Sequence, residues 1–317
     1  TMSQKDDALQ EVVTIIRNNN LTLSDIAAAL GESAENREKR DSNILGRVFN
    51  YIGAILVFAG LCIFVGMFWE NFGSVTRILV TLGTGFAAYL FALAAMDDPK
   101  YDRAATPLLI IAALFQPAGI FVMLDEFSSG GKPEHGVLFM AALMIIQQGA
   151  TFWHKRRTTL AFTTIFFSLV FSVTLFEELG MPEEMNAIIN GLALLVTGWK
   201  LAQSPHRPIS GFAYLVGSAA LMFGVYDTVE HTFFEIAFLA LAAFFVYIST
   251  VLRSRILLAM GTLGMLGYIG DFAFDHFKDQ ASFPILLMIL GIAFFGLGAM
   301  ALRINKKFIS GKDRRAV

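Results

Sequence analysis

Seven acidic and histidine side chains lie near the ends of three apolar segments in the last third of the chain. They are Asp227, Glu230, His231, Glu235, Asp271, Asp275 and His276. Carboxylates and imidazoles at this density can bind a divalent metal ion or relay protons, because both are available as ligands or proton acceptors near neutral pH. The same pattern also fits a rim of solvated surface charges, and the sequence leaves both interpretations open.

A second set consists of uncharged polar side chains inside otherwise apolar segments. Its members are Gln116, Gln147, Gln148, Asn186 and Asn190. Amides in such positions can line a polar path, or they can join neighbouring helices by hydrogen bonds. Pro117 follows Gln116 directly, and we expect it to interrupt its helix there, because proline removes a backbone hydrogen bond.

The composition indicates the class of protein that carries these side chains. Of 317 residues, 56% are hydrophobic and 16% are charged, whereas an average soluble domain is about 25% charged. A single soluble core cannot hide that much apolar surface. The sequence therefore predicts an all-α membrane protein in contact with the lipid bilayer.

Ten apolar segments are long enough for helices that cross about 30 Å of hydrocarbon. They span roughly 48–69, 75–96, 104–124, 136–153, 159–176, 184–202, 209–226, 232–252, 255–272 and 283–302. The runs are continuous rather than alternating, which excludes the strands of a membrane barrel. We therefore predict a bundle of about ten transmembrane helices.

The loops between these segments predict the orientation. All but three of the 24 Lys and Arg residues fall in the termini or in alternate loops, and the exceptions are Arg77, Lys132 and Lys278. The positive-inside rule then places both termini in the cytoplasm. Asp271 follows Arg255 by a helix of about 24 Å, so its carboxylate is expected below the outer surface, where an acid is costly and usually functional.

Charges also recur along the chain. The odd-numbered segments begin near an arginine and end near an acid, as Arg157 and Glu177 illustrate. This recurrence suggests five helical-hairpin repeats. The alternative is that interface charges follow the topology of any multi-pass protein.

Three domains are expected: a cytoplasmic helical module at 1–45, the ten-helix membrane domain at 46–303 and a basic cytoplasmic tail at 304–317. The first of these is a possible docking site for a protein partner. It carries eight acidic and five basic residues, and we expect no nucleic-acid partner because such binding requires a positive face.

No cofactor is evident from the sequence. Cys62 is the single cysteine, which excludes an intrachain disulfide and a thiolate metal cluster. Nucleotide-binding and metalloprotease motifs are absent from the 317 residues, so the sequence leans away from an enzyme.

The tract from Gly53 to Ala95 reads IGAILVFAGLCIFVGMFWENFG followed by RILVTLGTGFAAYL. It resembles a family of uncharacterised bacterial membrane proteins, which share a short helical cytoplasmic prefix and a glycine-rich first helix ending in a Trp/Asn hairpin. Here the hairpin reads Trp69-Glu70-Asn71. The resemblance implies a bacterial cytoplasmic (inner) membrane and transfers no activity.

Three functions agree with this sequence. The first is secondary transport or permeation of a small solute, proton or cation, which ten spans with no soluble enzyme domain favour by analogy. The second is a non-transporting scaffold or accessory protein that acts through residues 1–45. The third is an intramembrane enzyme that uses the acid/His cluster.

Overall fold

The computed structural model describes residues 66–128, 130–230, 232, 236–277, 283–304 and 306, together with positions 56, 60 and 63. The chain divides between Gly73 and Ser74 into two units. In the first unit, the described structure ends in a 3-10 turn at Trp69–Asn71, where the amide of Phe72 donates to the carbonyl oxygen of Trp69 at 3.2 Å.

All regular secondary structure in the described part of the second unit is helical. Its nine helices are α1 Ser74–Asp97, α2 Asp102–Phe127, α3 Pro133–Lys155, α4 Thr158–Glu178, α5 Glu183–Ala202, α6 Ser210–Val229, α7 Ile236–Leu252, α8 Arg255–Phe277 and α9 Phe283–Ile304. Each coincides with one of the predicted segments from 75–96 onward. The first predicted segment, 48–69, lies largely outside the described residues.

Six of these helices are long and apolar enough to cross a membrane by length and composition. They are α1 to α5, which have 20 to 26 residues, and α6 with the 3-10 turn Arg207–Ile209 before it. At 1.5 Å per residue, 20 residues span about 30 Å. The prediction of an all-α membrane protein with several apolar helices is therefore confirmed, while the total of ten spans stays a prediction.

The helices pack most extensively in pairs joined by short loops: α1 with α2, α3 with α4, α5 with α6 and α7 with α8. Glycines let the backbones touch in three of these pairs. A Cβ atom on Gly119 would lie 2.3 Å from the backbone nitrogen of Leu82, and one on Gly191 would lie 2.6 Å from that of Leu221. Gly261 packs equally closely on the backbone of α7.

These pairs form two groups of four helices, because each apolar cluster of the described residues draws its members either from α1–α4 or from α5–α8. The α5–α8 group encloses one apolar cluster that includes Leu221 and Phe245. The α1–α4 group encloses two. We call them the Leu109 cluster (Ala88, Tyr89, Ala92, Leu109, Ala112 and Leu160) and the Ile120 cluster (Ile120, Met140, Ala141, Met144 and Phe167).

Helix α2 continues through Pro107 and Pro117 without a break, so the expected interruption at Pro117 is wrong. Neighbouring helices can support the backbone beside a proline within a bundle. The irregularity lies in the facing helix instead, where Leu79–Gly83 of α1 form a π-helical turn. The backbone of this turn lies directly against Gly119.

Ion pairs join the ends of the helices in the α1–α4 group. At one end Lys155 pairs with Asp97, and Arg157 pairs with Asp102. At the other end Arg77 pairs with Glu126 at 2.7 Å. Lys132 pairs there with Glu178 at 2.8 Å, and the hydrogen bond to this carboxylate raises the pKa of Lys132.

Candidate functional site

Two of the sequence-predicted glutamines lie in the interior of the α1–α4 group. Gln116 of α2 is 2% exposed and Gln148 of α3 is 0% exposed. Thr163 of α4 is buried beside them in the same group, and its hydroxyl lies 3.3 Å from Oε1 of Gln148. We call Gln116, Gln147, Gln148 and Thr163 the glutamine layer.

The helical register places this layer between the two apolar clusters. Gln116 lies one turn from Ala112 of the Leu109 cluster and one turn from Ile120 of the other. Gln148 lies one turn from Met144 of the Ile120 cluster, and Phe152, one turn further on, packs against the Leu109 cluster. Residues four apart share a helix face, so the layer is polar with apolar packing on both sides.

Three amide atoms of this layer are buried and have no hydrogen-bond partner among the residues that the structure describes. They are Oε1 of Gln116, Nε2 of Gln147 and Nε2 of Gln148. A buried polar atom without a partner costs about 1–3 kcal/mol. Such a cost at three positions in one four-helix group marks the layer as a candidate for binding a polar group.

Gln147 is only half-buried, whereas Gln116 and Gln148 are buried. Its backbone carbonyl accepts a hydrogen bond from Thr151 at 2.8 Å, and Thr151 in turn shares a hydrogen bond with the hydroxyl of Tyr89 on α1. The sequence analysis missed Thr151, Thr163 and Tyr89. A signal was present for Thr151, which lies one turn after Gln147 on α3, but Tyr89 and Thr163 lie on other helices, and the sequence does not show which helices are neighbours.

The two asparagines are buried, but their hydrogen bonds are complete. Nδ2 of Asn186 donates to the carbonyl of Val173 at 2.9 Å, and Nδ2 of Asn190 donates to Oδ1 of Asn186 at 2.6 Å. The hydroxyl of Ser172 donates to Oδ1 of Asn190. The bonds to Val173 and from Ser172 cross between α4 and α5, so the asparagines join the two four-helix groups.

A groove of about 260 Å³ opens beside this hydrogen-bonded set. Polar and aliphatic side chains line it, among them Ser168, Ser172, Asn190 and Thr197. The groove therefore exposes part of a polar helix–helix contact that is otherwise closed.

The acid/His set is only partly described. Asp227 and Asp271 are exposed and Glu230 is half-buried, while the hydroxyl of Tyr226 donates a hydrogen bond to Asp271. Asp271 lies six residues before the end of α8 at Phe277, about 9 Å along the helix. His231 and Glu235, and the side chains of Asp275 and His276, lie outside the described residues.

A metal-binding group is not found where the structure describes the chain: these residues contain no cluster of three or more His, Cys, Asp or Glu side chains that could hold an ion. Metal binding by the acid/His set stays a prediction, because four of its seven side chains fall outside that description. Asp271 has one defined contact, the hydrogen bond from Tyr226, which joins α6 to α8.

These features define an α-helical membrane protein with multiple apolar helices. Residues 19–153 match the family described as "Predicted membrane protein (DUF2157)". This match confirms the resemblance to a family of uncharacterised membrane proteins over that range. It includes Gln116, Gln147 and Gln148, whereas the acid/His set lies beyond it. No curated protein and no solved structure matches the chain.

Proposed function

We propose that this protein carries a small solute, a proton or a cation across the membrane by secondary transport or permeation. The observation that carries the proposal is the glutamine layer, in which Gln116 and Gln148 are buried and retain unpaired amide atoms. A site that served packing alone would be expected to satisfy those atoms, as the asparagine contact does.

The proposal includes the topology that transport requires. Ten spans, two cytoplasmic termini and five hairpin repeats are proposed for residues 46–303, with the module at 1–45 and the tail at 304–317 on the cytoplasmic side of a bacterial inner membrane. The distribution of basic residues supports this orientation. Among the described residues, Arg77 and Lys132 are the only Lys or Arg side chains on the side proposed to be external, and an excess of Lys and Arg is typical of the cytoplasmic side.

A scaffold that acts through residues 1–45 is the second candidate. The close glycine contacts between α5 and α6, and the complete hydrogen bonds of Asn186 and Asn190, favour it for the second half of the bundle. A scaffold needs a dry, well-packed bundle and no flux. A flux measurement therefore separates the two functions.

The proposed function is tested on purified full-length protein in liposomes. We expect vesicles that contain it to take up at least one probe from a panel of urea, glycerol, K⁺ and H⁺ faster than empty vesicles. Uptake equal to that of empty vesicles for every probe, by protein shown to be folded and inserted, would favour the scaffold.

Replacing Asp271 with Asn is expected to abolish that transport and leave folding intact. The amide keeps an oxygen that can accept the hydrogen bond from Tyr226, but it can neither carry a charge nor bind a proton reversibly. Glu177→Gln is the matched control, because Glu177 is an exposed acid near the end of α4, which is proposed to lie on the same side of the membrane as Asp271. Wild-type flux in the Asp271 variant would show that Asp271 takes no part in the proposed transport.

Deletion of residues 2–42 is expected to leave an inserted, ten-span protein, because the apolar segments that drive insertion all follow this range. Extraction with alkaline carbonate measures insertion, and a reporter fused after Val317 measures the location of the C-terminus. A truncated chain that is extracted as a peripheral protein would show that the first 42 residues belong to the membrane fold.

A further inference from the structure

We infer that a cavity between α2 and α3 is a binding site for a phospholipid whose headgroup carries a primary ammonium, such as an ethanolamine phospholipid. The site goes beyond the proposed function, because it holds a lipid at one end of the bundle rather than a solute on its way through. Its lining shares no residue with the glutamine layer.

The cavity has a volume of about 500 Å³ and opens between two helices that belong to different pairs. The last turns of α2, the first turns of α3 and the loop between these helices line it. Gly136 of α3 leaves room for it, since a Cβ atom added there would lie 3.5 Å from the side chain of Leu124 and 3.9 Å from that of Phe121. The volume falls within the range of about 300–1,000 Å³ that is typical of small-molecule sites.

Apolar and polar side chains follow one another in order along the cavity. Phe121 and Phe139 are exposed and line the part nearer the middle of the helices, whereas Asp125 and Lys132 lie near the helix ends. Phe121 lies six residues before the end of α2 at Phe127, which is about 9 Å along the helix. Because α2 and α3 have the length and composition of membrane spans, this order matches a lipid whose acyl chain lies below its headgroup.

The charge at the polar end favours a headgroup that carries an ammonium. Among the residues that the structure describes, the Asp125 carboxylate has no ion pair and no hydrogen bond. The other two titratable side chains of the lining contact Glu178 instead: Lys132 donates to its carboxylate at 2.8 Å, and Nε2 of His135 lies 3.3 Å from the same oxygen. Asp125 is therefore left to attract a cation.

The headgroup phosphate also has a partner in the lining. An ammonium has three N–H donors, and Lys132 uses one of them on Glu178. Its side chain is 65% exposed, so the remaining donors can contact a phosphate oxygen. A headgroup with a phosphate and an ammonium thus complements Lys132 and Asp125 together.

The same two residues predict an order of preference among lipids. A primary ammonium donates charge-assisted hydrogen bonds to a carboxylate, whereas the quaternary ammonium of choline has no N–H to donate. A glycerol headgroup leaves the lipid with a net negative charge, which the Asp125 carboxylate repels. The expected order of affinity is ethanolamine, then choline, then glycerol phospholipid.

Binding is measured by native mass spectrometry on delipidated full-length protein in detergent. The probes are the three phospholipids with identical acyl chains, together with glycerophosphoethanolamine, which has the headgroup and no chain. The variants are Asp125→Asn, which removes the charge at constant shape, and Gly136→Leu, which fills the cavity. Glu177→Gln and Gly267→Leu are the matched controls, because Glu177 is an exposed acid outside the lining and a Cβ atom on Gly267 meets nothing within 4 Å.

We expect wild-type protein and both controls to bind the ethanolamine lipid about tenfold more tightly than the glycerol lipid, as one charge-assisted hydrogen bond would provide. Asp125→Asn should abolish that preference. Gly136→Leu should weaken the binding of all three lipids by a similar factor, because it removes space rather than charge. Thermal unfolding checks the fold of each variant, and if Gly136→Leu melts lower than wild type, Asp125→Asn alone decides.

Three results would overturn the inference. The first is equal affinity of the wild-type protein for the three lipids. The second is a preference for ethanolamine that survives in Asp125→Asn or is lost equally in Glu177→Gln. The third is binding of glycerophosphoethanolamine as tight as that of the lipid, which would assign the site to a soluble amine. The flux measurement tests the proposed transport separately, so either conclusion can fail without the other.

Discussion

Gly119→Ala is expected to destabilise the protein, although alanine normally stabilises a helix relative to glycine by about 1 kcal/mol. The added Cβ atom would lie 2.3 Å from both the nitrogen and the Cα atom of Leu82. Those are backbone atoms of the π-helical turn in α1, so no side chain can rotate away. Helices α1 and α2 must separate, and overpacking of this kind costs about 1–3 kcal/mol or more.

Gly267→Ala is the matched control for this variant. Gly267 also lies inside a long helix, α8, and a Cβ atom built on it meets nothing within 4 Å. The same substitution should therefore leave the unfolding free energy unchanged or raise it by up to about 1 kcal/mol. Thermal unfolding in detergent, followed by circular dichroism, compares the two variants with wild type. Equal melting temperatures for both would show that α1 and α2 are not held together at Gly119.

The positions of the helices were predictable from sequence because apolar runs end where polar residues begin. The predicted segment 159–176, for example, corresponds to α4 at Thr158–Glu178. The π-helical turn at Leu79–Gly83 was not predictable in this way. Its sequence, LVTLG, is compatible with an α-helix, and the turn is adjacent to Gly119 on another helix.

The buried glutamines and asparagines show which features of the site cannot be predicted from sequence. The positions of Gln116 and Asn190 inside apolar segments correctly indicated burial. The sequence did not show that these two residues differ in their hydrogen bonding, because that depends on the neighbouring helices. Oδ1 of Asn190 accepts a hydrogen bond from Ser172 on α4, whereas Oε1 of Gln116 has no hydrogen-bond partner among the described residues. Only a structure of the packed helices separates a packing contact from a candidate binding group.

The partners in the ion pairs could not be predicted from sequence either. The sequence assigned charges to the ends of helices, and the structure places them there. Which charges pair depends on which helices are neighbours in space. Arg157, directly before α4, pairs with Asp102 at the start of α2. Helical periodicity within one segment does not indicate which other helix supplies the partner.

Removal of one member of the Arg77–Glu126 pair is expected to cost more than removal of both. The Arg77 nitrogen and Glu126 oxygen are 2.7 Å apart, and their side chains are 22% and 14% exposed. Ser74 also donates a hydrogen bond to the Glu126 carboxylate. Glu126→Leu alone removes the carboxylate that pairs with Arg77 at a place where both side chains are largely shielded, so we expect it to lower the free energy of unfolding more than the double variant does.

The double variant Arg77→Met with Glu126→Leu should recover most of that loss, because apolar side chains of similar size replace both charges. The pair Lys132–Glu178 provides the control: its side chains are 65% and 25% exposed, and Lys132→Ala should lower the free energy of unfolding less than Glu126→Leu does. A double-mutant cycle on the free energy of unfolding measures the coupling. If the single and double variants at Arg77 and Glu126 are equally destabilised, the two charges are not coupled, and the start of α1 and the end of α2 are held together by apolar packing alone.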